Sequence, residues 1–215
     1  MKVFQFLSLS LFFLFAICQS CDLSKYTPLE CYVRTGVFIS NYSYHLWDLS
    51  STDKGDLQTL FDWGVCPSTQ SMRGNRYDGI VNYVDFGTLG KDVFELLTGQ
   101  TPDIFTDELF SQGLNFQKRF YPQNDAHNRS GTNYWPMKHS EDYPMKIYIS
   151  PAVQNSSYYS LKIDYDVYGN NAIEVAPLLD EIRQIPNTNL FVGKMYFRVL
   201  DEPIFILWFS LEKRN

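Results

Sequence analysis

The last third of the chain alternates apolar and polar residues, with the two-residue period of a β-strand. Residues 157–168 place Leu161 on an apolar face and Lys162 and Asp164 on a polar face, and residues 145–150 alternate in the same way. This pattern predicts half-buried strands of an antiparallel sheet, with the polar face in solvent.

Two further strands are predicted at 190–200 and 203–213, joined by a tight connection. The second is apolar on both faces around residues 204–209, so we expect it inside a sheet or barrel and not on an edge. A short strand is predicted at 80–84 and an extended segment at 116–121. The predicted fold class is therefore α+β and β-rich: an antiparallel sheet or partly closed barrel with a few short helices packed on it.

Helical spacing of apolar residues appears between these segments. A proline opens residues 177–185, and Leu178 and Ile182 lie on one side, which predicts a short helix with Asp180 and Glu181 in its first turns. The remaining predictions are helices at 56–63, 90–99 and 106–111, one or two strands within 32–44, and long loops at 66–79 and 122–136.

The amino terminus has a different pattern. A single basic residue, Lys2, precedes an apolar run at 3–17 that ends in small residues. This arrangement predicts a secretory signal peptide at residues 1–20 and a single mature domain at residues 21–215. No later apolar run reaches the ~18 residues of a membrane-spanning helix. We therefore expect a eukaryotic protein secreted to the cell exterior or the secretory-pathway lumen, with no membrane span.

Composition narrows the range of partners. The net charge is −6, and acidic and basic residues are interspersed. Because a basic patch is missing, the sequence argues against a nucleic-acid partner. Aromatic residues make up 17% of the chain. They suit a half-buried β-rich core and equally an aromatic-lined pocket.

An oxidising destination gives the cysteines a role. Removal of the signal peptide leaves Cys21, Cys31 and Cys66, which allow three pairings. A Cys31–Cys66 disulfide is favoured because Cys21 lies at a terminus and a longer loop gains more from closure. The leftover Cys21 would be available to link two copies into a dimer.

Three N-x-[ST] sequons lie behind the signal peptide, at Asn41, Asn128 and Asn155. In a secreted protein they predict N-glycosylation of exposed surface.

Candidate catalytic chemistry is sparse. The three histidines, His45, His127 and His139, accompany no G-x-S-x-G, H-E-x-x-H or calcium-loop motif. The sequence therefore predicts no metal and no cofactor, and it favours a protein without catalytic activity. Carboxylates that would serve an extracellular hydrolase are Asp78, Asp85, Glu174, Asp180 and Glu181.

The glycine-bearing stretch at 64–90 is the most unusual predicted loop, and long loops of this kind often carry function. Arg73 and Arg76 lie within it. Their guanidinium groups predict a site for an anionic group.

The carboxyl-terminal third resembles the tail of small uncharacterised β-rich domains. The matching residues are Leu178–Arg183, Leu190–Lys194 and the closing Phe209-Ser210-Leu211-Glu212. In outline it is similar to lipocalin-like closed-sheet proteins, which implies a barrel around an apolar ligand. The lipocalin G-x-W is absent, and the resemblance assigns no residue a role.

The predicted function is a secreted, non-enzymatic binding protein for an apolar or aromatic small ligand. Its alternatives are the extracellular hydrolase and an extracellular signalling or adhesion protein. The residues expected to contact the ligand are Phe191, Met195, Phe197, Phe205, Leu207 and Phe209.

Overall fold

The structure is a computed structural model. It describes residues 28–35, 44–87, 91–92, 95, 101, 115–167, 171, 175–199 and 202–214. The chain divides into two compact units, Met1–Tyr44 and His45–Asn215. The signal peptide, Cys21, Asn41, Glu174, the helix at 106–111 and most of the helix at 90–99 lie outside the described residues. The prediction of a single mature domain stays a prediction.

The first unit contains one described helix, α1 (Pro28–Thr35). Proline suits the first helical position because its fixed φ is already helical and its missing N–H needs no partner there. Leu29 and Tyr32, three positions apart, are both buried. The strand predicted from residue 32 is therefore wrong over 32–35, and residues 36–43 are outside the described part of the chain.

The second unit is an eight-stranded antiparallel barrel. Each strand pairs with the next along the chain, and the last pairs with the first to close the sheet. The strands are β1 (Arg76–Val84), β2 (Asn115–Phe120), β3 (Gly131–Trp135), β4 (Ser140–Pro151), β5 (Tyr159–Asp164), β6 (Leu178–Gln184), β7 (Leu190–Val199) and β8 (Glu202–Lys213). The predicted β-rich fold class is confirmed. Closure removes the exposed edges that an open sheet would leave.

Three short helices of this unit lie wholly within the described residues: α2 (Leu46–Ser50), α3 (Lys54–Trp63) and α4 (Thr69–Met72). The side chain of Asp53 caps α3 by accepting a hydrogen bond from the Asp56 amide at 2.9 Å. Leu57, Leu60 and Phe61 of α3 are buried, and α3 contacts β6 and β7. The predicted helix at 56–63 is confirmed. None of the helices in the described ranges has the length and apolarity needed to cross a membrane.

Strand β6 replaces the helix predicted at 177–185, which is wrong. Its apolar residues fit either period, and a run this short does not decide between helix and strand. Pairing with β5 on one side and β7 on the other decides for the strand. Asp180 and Glu181 consequently point to opposite faces of the sheet instead of sharing a helical turn.

Two predicted loops contain regular structure. Residues 66–79 include α4 and the start of β1, and residues 122–136 include β3. β3 lies between β2 and β4 and pairs with both. Backbone hydrogen bonds to both neighbouring strands stabilise this five-residue strand. The glycine- and asparagine-rich sequence around it does not predict a strand.

The outer face of β5 also differs from its prediction. Lys162 and Asp164 are buried, not solvated. Asp164 forms an ion pair with Arg198 of β7 at 2.7 Å and lies 3.5 Å from the ammonium of Lys146. The strand predicted from the alternation is confirmed, but its polar face is covered and not in solvent.

Aromatic side chains fill much of the barrel interior. The ring of Phe116 lies against Gly79, where an added Cβ would be 2.5 Å from Phe116 Cζ. The ring of Phe209 lies against Gly193 in the same way, at 2.3 Å. The centres of the two rings are 6.0 Å apart in an edge-to-face arrangement. Glycine is required at both positions to give these rings room.

Candidate functional site

Five of the six residues predicted to contact a ligand belong to the inner face of the barrel. Four of them, Phe191, Phe197, Leu207 and Phe209, are part of the buried inner cluster, and Met195 packs against it while remaining partly exposed.

Phe205 lies on the outer face instead. Its ring centre is 5.8 Å from that of Trp208, and the Lys54 ammonium lies 5.8 Å from its centre. The β7–β8 register shifts between Met195 and Tyr196. This bulge reverses the alternation along β8, so Phe205 and Leu207 face opposite sides.

A polar cluster lies among the inner rings. The Lys118 ammonium donates hydrogen bonds to Asp180 Oδ2 at 2.9 Å, to Tyr165 Oη at 2.6 Å and to Asn133 Oδ1 at 3.2 Å. The Tyr165 hydroxyl donates to the same Asp180 oxygen at 3.0 Å. We call these four residues the inner cluster of charge. All three ammonium protons have an acceptor, so the hydrogen-bonding capacity of Lys118 is saturated.

Aromatic rings surround this cluster. The Lys118 ammonium is 5.3 Å from the ring centres of Phe116, Tyr165 and Phe209. These distances allow cation–π attraction, which offsets part of the cost of burying the charge.

One carboxylate oxygen of the inner cluster of charge has no described hydrogen-bond donor. Among the described residues, Asp180 Oδ1 has no hydrogen-bond partner although it is buried. Burial raises the pKa of Asp180 above its ordinary value, against the opposing attraction of Lys118. Burial, reinforced by the Asp180 charge, raises the pKa of Tyr165. The phenol therefore stays protonated and keeps donating.

The ladder partner of Asp180 on the inner face is partly exposed. Met195 is the direct partner of Asp180 across the β6–β7 ladder. It packs on the inner apolar cluster yet is only partly buried.

Sequence reasoning missed Lys118, although a signal was present. In Phe116-Gln117-Lys118-Arg119-Phe120 the strand period puts Lys118 between two phenylalanines on one face. A lysine in the centre of an apolar face is a reason to look for a buried partner. That partner, Asp180, lies 62 residues further along the chain.

A second buried group of charges lies on the outer face of the barrel. Glu181 Oε1 accepts hydrogen bonds from the Val153 amide at 2.6 Å and from Ser160 Oγ at 3.1 Å, and it forms an ion pair with Lys162. Lys194 lies on the same face, next to Phe61 of α3. We call Lys162, Glu181 and Lys194 the outer cluster of charge.

The predicted anion site is not assembled as a pair of free guanidinium groups. Arg73 donates to Asn124 Oδ1 at 2.8 Å, and Arg76 is exposed at the start of β1. Anion binding there stays a prediction.

The other titratable candidates are dispersed. His45 contacts Glu212 at 3.1 Å, and His139 lies 3.3 Å from the Tyr134 hydroxyl. His127 is exposed. Within the described ranges, no three His, Cys, Asp or Glu side chains gather in a way that could hold a metal ion.

The four predicted carboxylates that the structure describes have separate surroundings. Asp78 pairs with Arg214, and Asp85 pairs with Lys54. Asp180 and Glu181, neighbours on β6, are separated by the barrel wall.

The predicted Cys31–Cys66 disulfide is wrong. Cys66 has a free, partly buried thiol, whereas Cys31 is disulfide-bonded. Burial raises the pKa of the Cys66 thiol, against the nearby charges of Arg183 and Lys162. A thiol of raised pKa is largely protonated at neutral pH and therefore weakly reactive. The dimer through Cys21 stays a prediction.

Two of the three sequons lie in the described residues. Asn128 and Asn155 are both exposed, in the connections β2–β3 and β4–β5. No protein-family model, curated protein or solved structure matches the chain.

Proposed function

We propose that this chain is a secreted, N-glycosylated, non-enzymatic protein whose barrel binds a small apolar or aromatic molecule. One observation carries the proposal: an aromatic interior contains a buried carboxylate oxygen, Asp180 Oδ1, with no hydrogen-bond partner in the described part of the chain. An unpaired buried acceptor costs about 1–3 kcal/mol. A ligand that donates a hydrogen bond would recover this cost.

The surroundings of that oxygen define the ligand class. Met195 and Phe197 offer apolar contact near Asp180, and eight-stranded barrels enclose at most one small ligand. The proposed ligand is therefore a compact apolar or aromatic molecule with one hydroxyl or N–H group. Saturation of Lys118 by its own partners disfavours a ligand that relies on an anionic group.

Secretion and glycosylation rest on the sequence pattern of residues 1–20 and on the exposure of two sequon asparagines. Asn128 and Asn155 lie in loops, where an oligosaccharide meets no packed surface. Expression in a eukaryotic secretory host should give protein in the medium whose mass falls on peptide-N-glycosidase treatment. Retention in the cell, or an unchanged mass, would contradict this part of the proposal.

The ligand class is tested with two matched probes, 1-naphthol and 1-methoxynaphthalene. They share the ring system, but only the first donates a hydrogen bond. Quenching of tryptophan fluorescence should saturate for both, with 1-naphthol binding roughly 10-fold more tightly because the Asp180 bond contributes about 1.4 kcal/mol or more. No saturable binding of either probe, or equal affinities, would overturn the proposal.

Variants separate the inner site from general effects of burial. Asp180→Asn should remove the preference for 1-naphthol. Asp164→Asn is the matched control, because Asp164 is also a buried, ion-paired carboxylate but lies on the outer face. Met195→Trp, which adds bulk next to Asp180, should weaken the binding of both probes. Equal loss of preference in both aspartate variants would show that the barrel interior is not the site.

A further inference from the structure

The outer cluster contains an amine in an unusual environment. Lys194 is 1% exposed. Its ammonium lies 4.5 Å from the ring centre of Phe61 and 4.8 Å from that of Trp208. Its hydrogen bond goes to Gln154 Oε1, at 2.6 Å. Two of its three protons are therefore without a described acceptor.

No carboxylate in the described residues forms an ion pair with Lys194. In the carboxylate of the cluster, Glu181, the Oε1 oxygen is bonded by Lys162, Ser160 and the Val153 amide, while Oε2 has no described hydrogen-bond partner. Lys194 thus differs from Lys118, which is equally buried but has an ion pair and three hydrogen bonds.

This environment raises the fraction of neutral amine at near-neutral pH. Burial lowers the pKa of Lys194 to about 8, with Lys162 adding to the effect while Glu181 and Asp62 oppose it. A neutral lysine has a free electron pair and is a nucleophile at near-neutral pH.

The acceptor of the Lys194 amine is the long polar side chain of Gln154. Gln154 is exposed in the β4–β5 connection, so rotation of this one side chain would break the hydrogen bond that Lys194 donates to it. A second polar atom lies nearby: Trp208 Nε1 is buried and has no described hydrogen-bond partner. It can donate to an oxygen placed beside the amine.

We propose that Lys194 reversibly captures small aldehydes with an aromatic or apolar substituent. The amine nitrogen attacks the carbonyl carbon, forming the C–N bond, and a nitrogen proton moves to the carbonyl oxygen to give a carbinolamine. Loss of water then leaves an imine, with no oxidant or reductant required. Phe61 and Trp208 flank the substituent, and Trp208 Nε1 donates to the carbonyl oxygen. This site is on the outside of the barrel and does not depend on the inner ligand.

The experiment traps the imine in the full chain with benzaldehyde and sodium cyanoborohydride. Peptide mass spectrometry then gives a rate for each lysine at pH 7.5. Lys194 should be benzylated at least ~10-fold faster than exposed Lys91, since lowering the pKa from about 10.4 to about 8 raises the neutral fraction more than 100-fold. Its rate should rise with pH and level off above about pH 8.

Lys118 is the matched buried control and should stay unmodified because its partners hold it. Gln154→Ala should accelerate the reaction of Lys194. Benzylation of Lys118 as fast as Lys194 would indicate local unfolding and overturn the proposal, as would modification of Lys91 with Lys194 left intact. These outcomes concern the outer face alone, so they are independent of the naphthol titration.

Discussion

The two buried clusters of charge occupy opposite sides of one strand, and they differ in how completely their lysines are hydrogen-bonded. Inside, Lys118 has its full set of hydrogen bonds while Asp180 keeps a free oxygen. Outside, Glu181 Oε1 is bonded by three donors while Lys194 has one acceptor. Both carboxylates therefore keep one buried oxygen without a described partner, Asp180 Oδ1 inside and Glu181 Oε2 outside, and only the outer cluster has an amine with a single acceptor.

The difference teaches that burial alone does not define what a charged group does. A carboxylate oxygen among aromatic rings favours a molecule that donates a hydrogen bond, whereas a buried amine without an ion pair has a lowered pKa. What each cluster lacks sets the chemistry it offers. Stability measurements on variants of Lys118, Lys162 and Lys194 test whether the clusters are as different as their contacts indicate, and a variant of Gly193 tests the packing of the inner face.

The largest expected loss of stability comes from breaking the inner ion pair between Lys118 and Asp180. Lys118→Met leaves Asp180 as an uncompensated buried charge and should lower the free energy of unfolding by about 3–5 kcal/mol. Lys162→Met should cost less, about 1.5–3 kcal/mol, since Glu181 keeps its bonds from Ser160 and Val153. Urea denaturation measures both. Equal losses would mean that the clusters do not differ in this respect.

A smaller loss of stability is expected from a substitution on the inner face of β7. Gly193→Ala would put a Cβ 2.3 Å from Phe209 Cζ and should cost about 1–3 kcal/mol through overpacking. Adding Phe209→Leu should relieve part of this clash. The double variant should therefore lose less free energy of unfolding than the two single variants lose in sum. Strict additivity would argue that the ring does not lie on the glycine.

The smallest effect is the pH dependence of the outer amine. Since the pKa of Lys194 is lowered to about 8 by folding, the unfolded chain binds more protons above that pH. Stability should therefore rise with pH, by about 1 kcal/mol between pH 8 and 9, relative to Lys194→Met. Thermal or urea unfolding at both pH values measures the difference. If the difference in unfolding free energy between the two proteins stays flat or falls from pH 8 to pH 9, folding does not lower the pKa of Lys194.

Several elements were predictable from local pattern. The strands at 145–150, 157–168, 190–200 and 203–213 all show the two-residue period, and each is a strand in the barrel. The period is legible because a β-strand exposes alternate residues to different surroundings whatever its partners are.

The candidate site was predictable only in part. Five of the six expected ligand contacts face inward because the alternation of β7 and of most of β8 is regular. Phe205 faces outward because of a bulge, which depends on the register between two strands and leaves no signal in either alone.

The sequence by itself determined the strands of the last third, the β-rich class and a chain whose amino terminus has the pattern of a signal peptide. Only the tertiary structure decided that the sheet closes, that residues 178–184 form a strand, and that Lys118 meets Asp180. These outcomes depend on pairing between distant segments: β6 has hydrogen-bonding neighbours on both sides, and closure joins β8 to β1. Local spacing does not contain that information, because the free energy that decides it comes from contacts made only after the chain has folded.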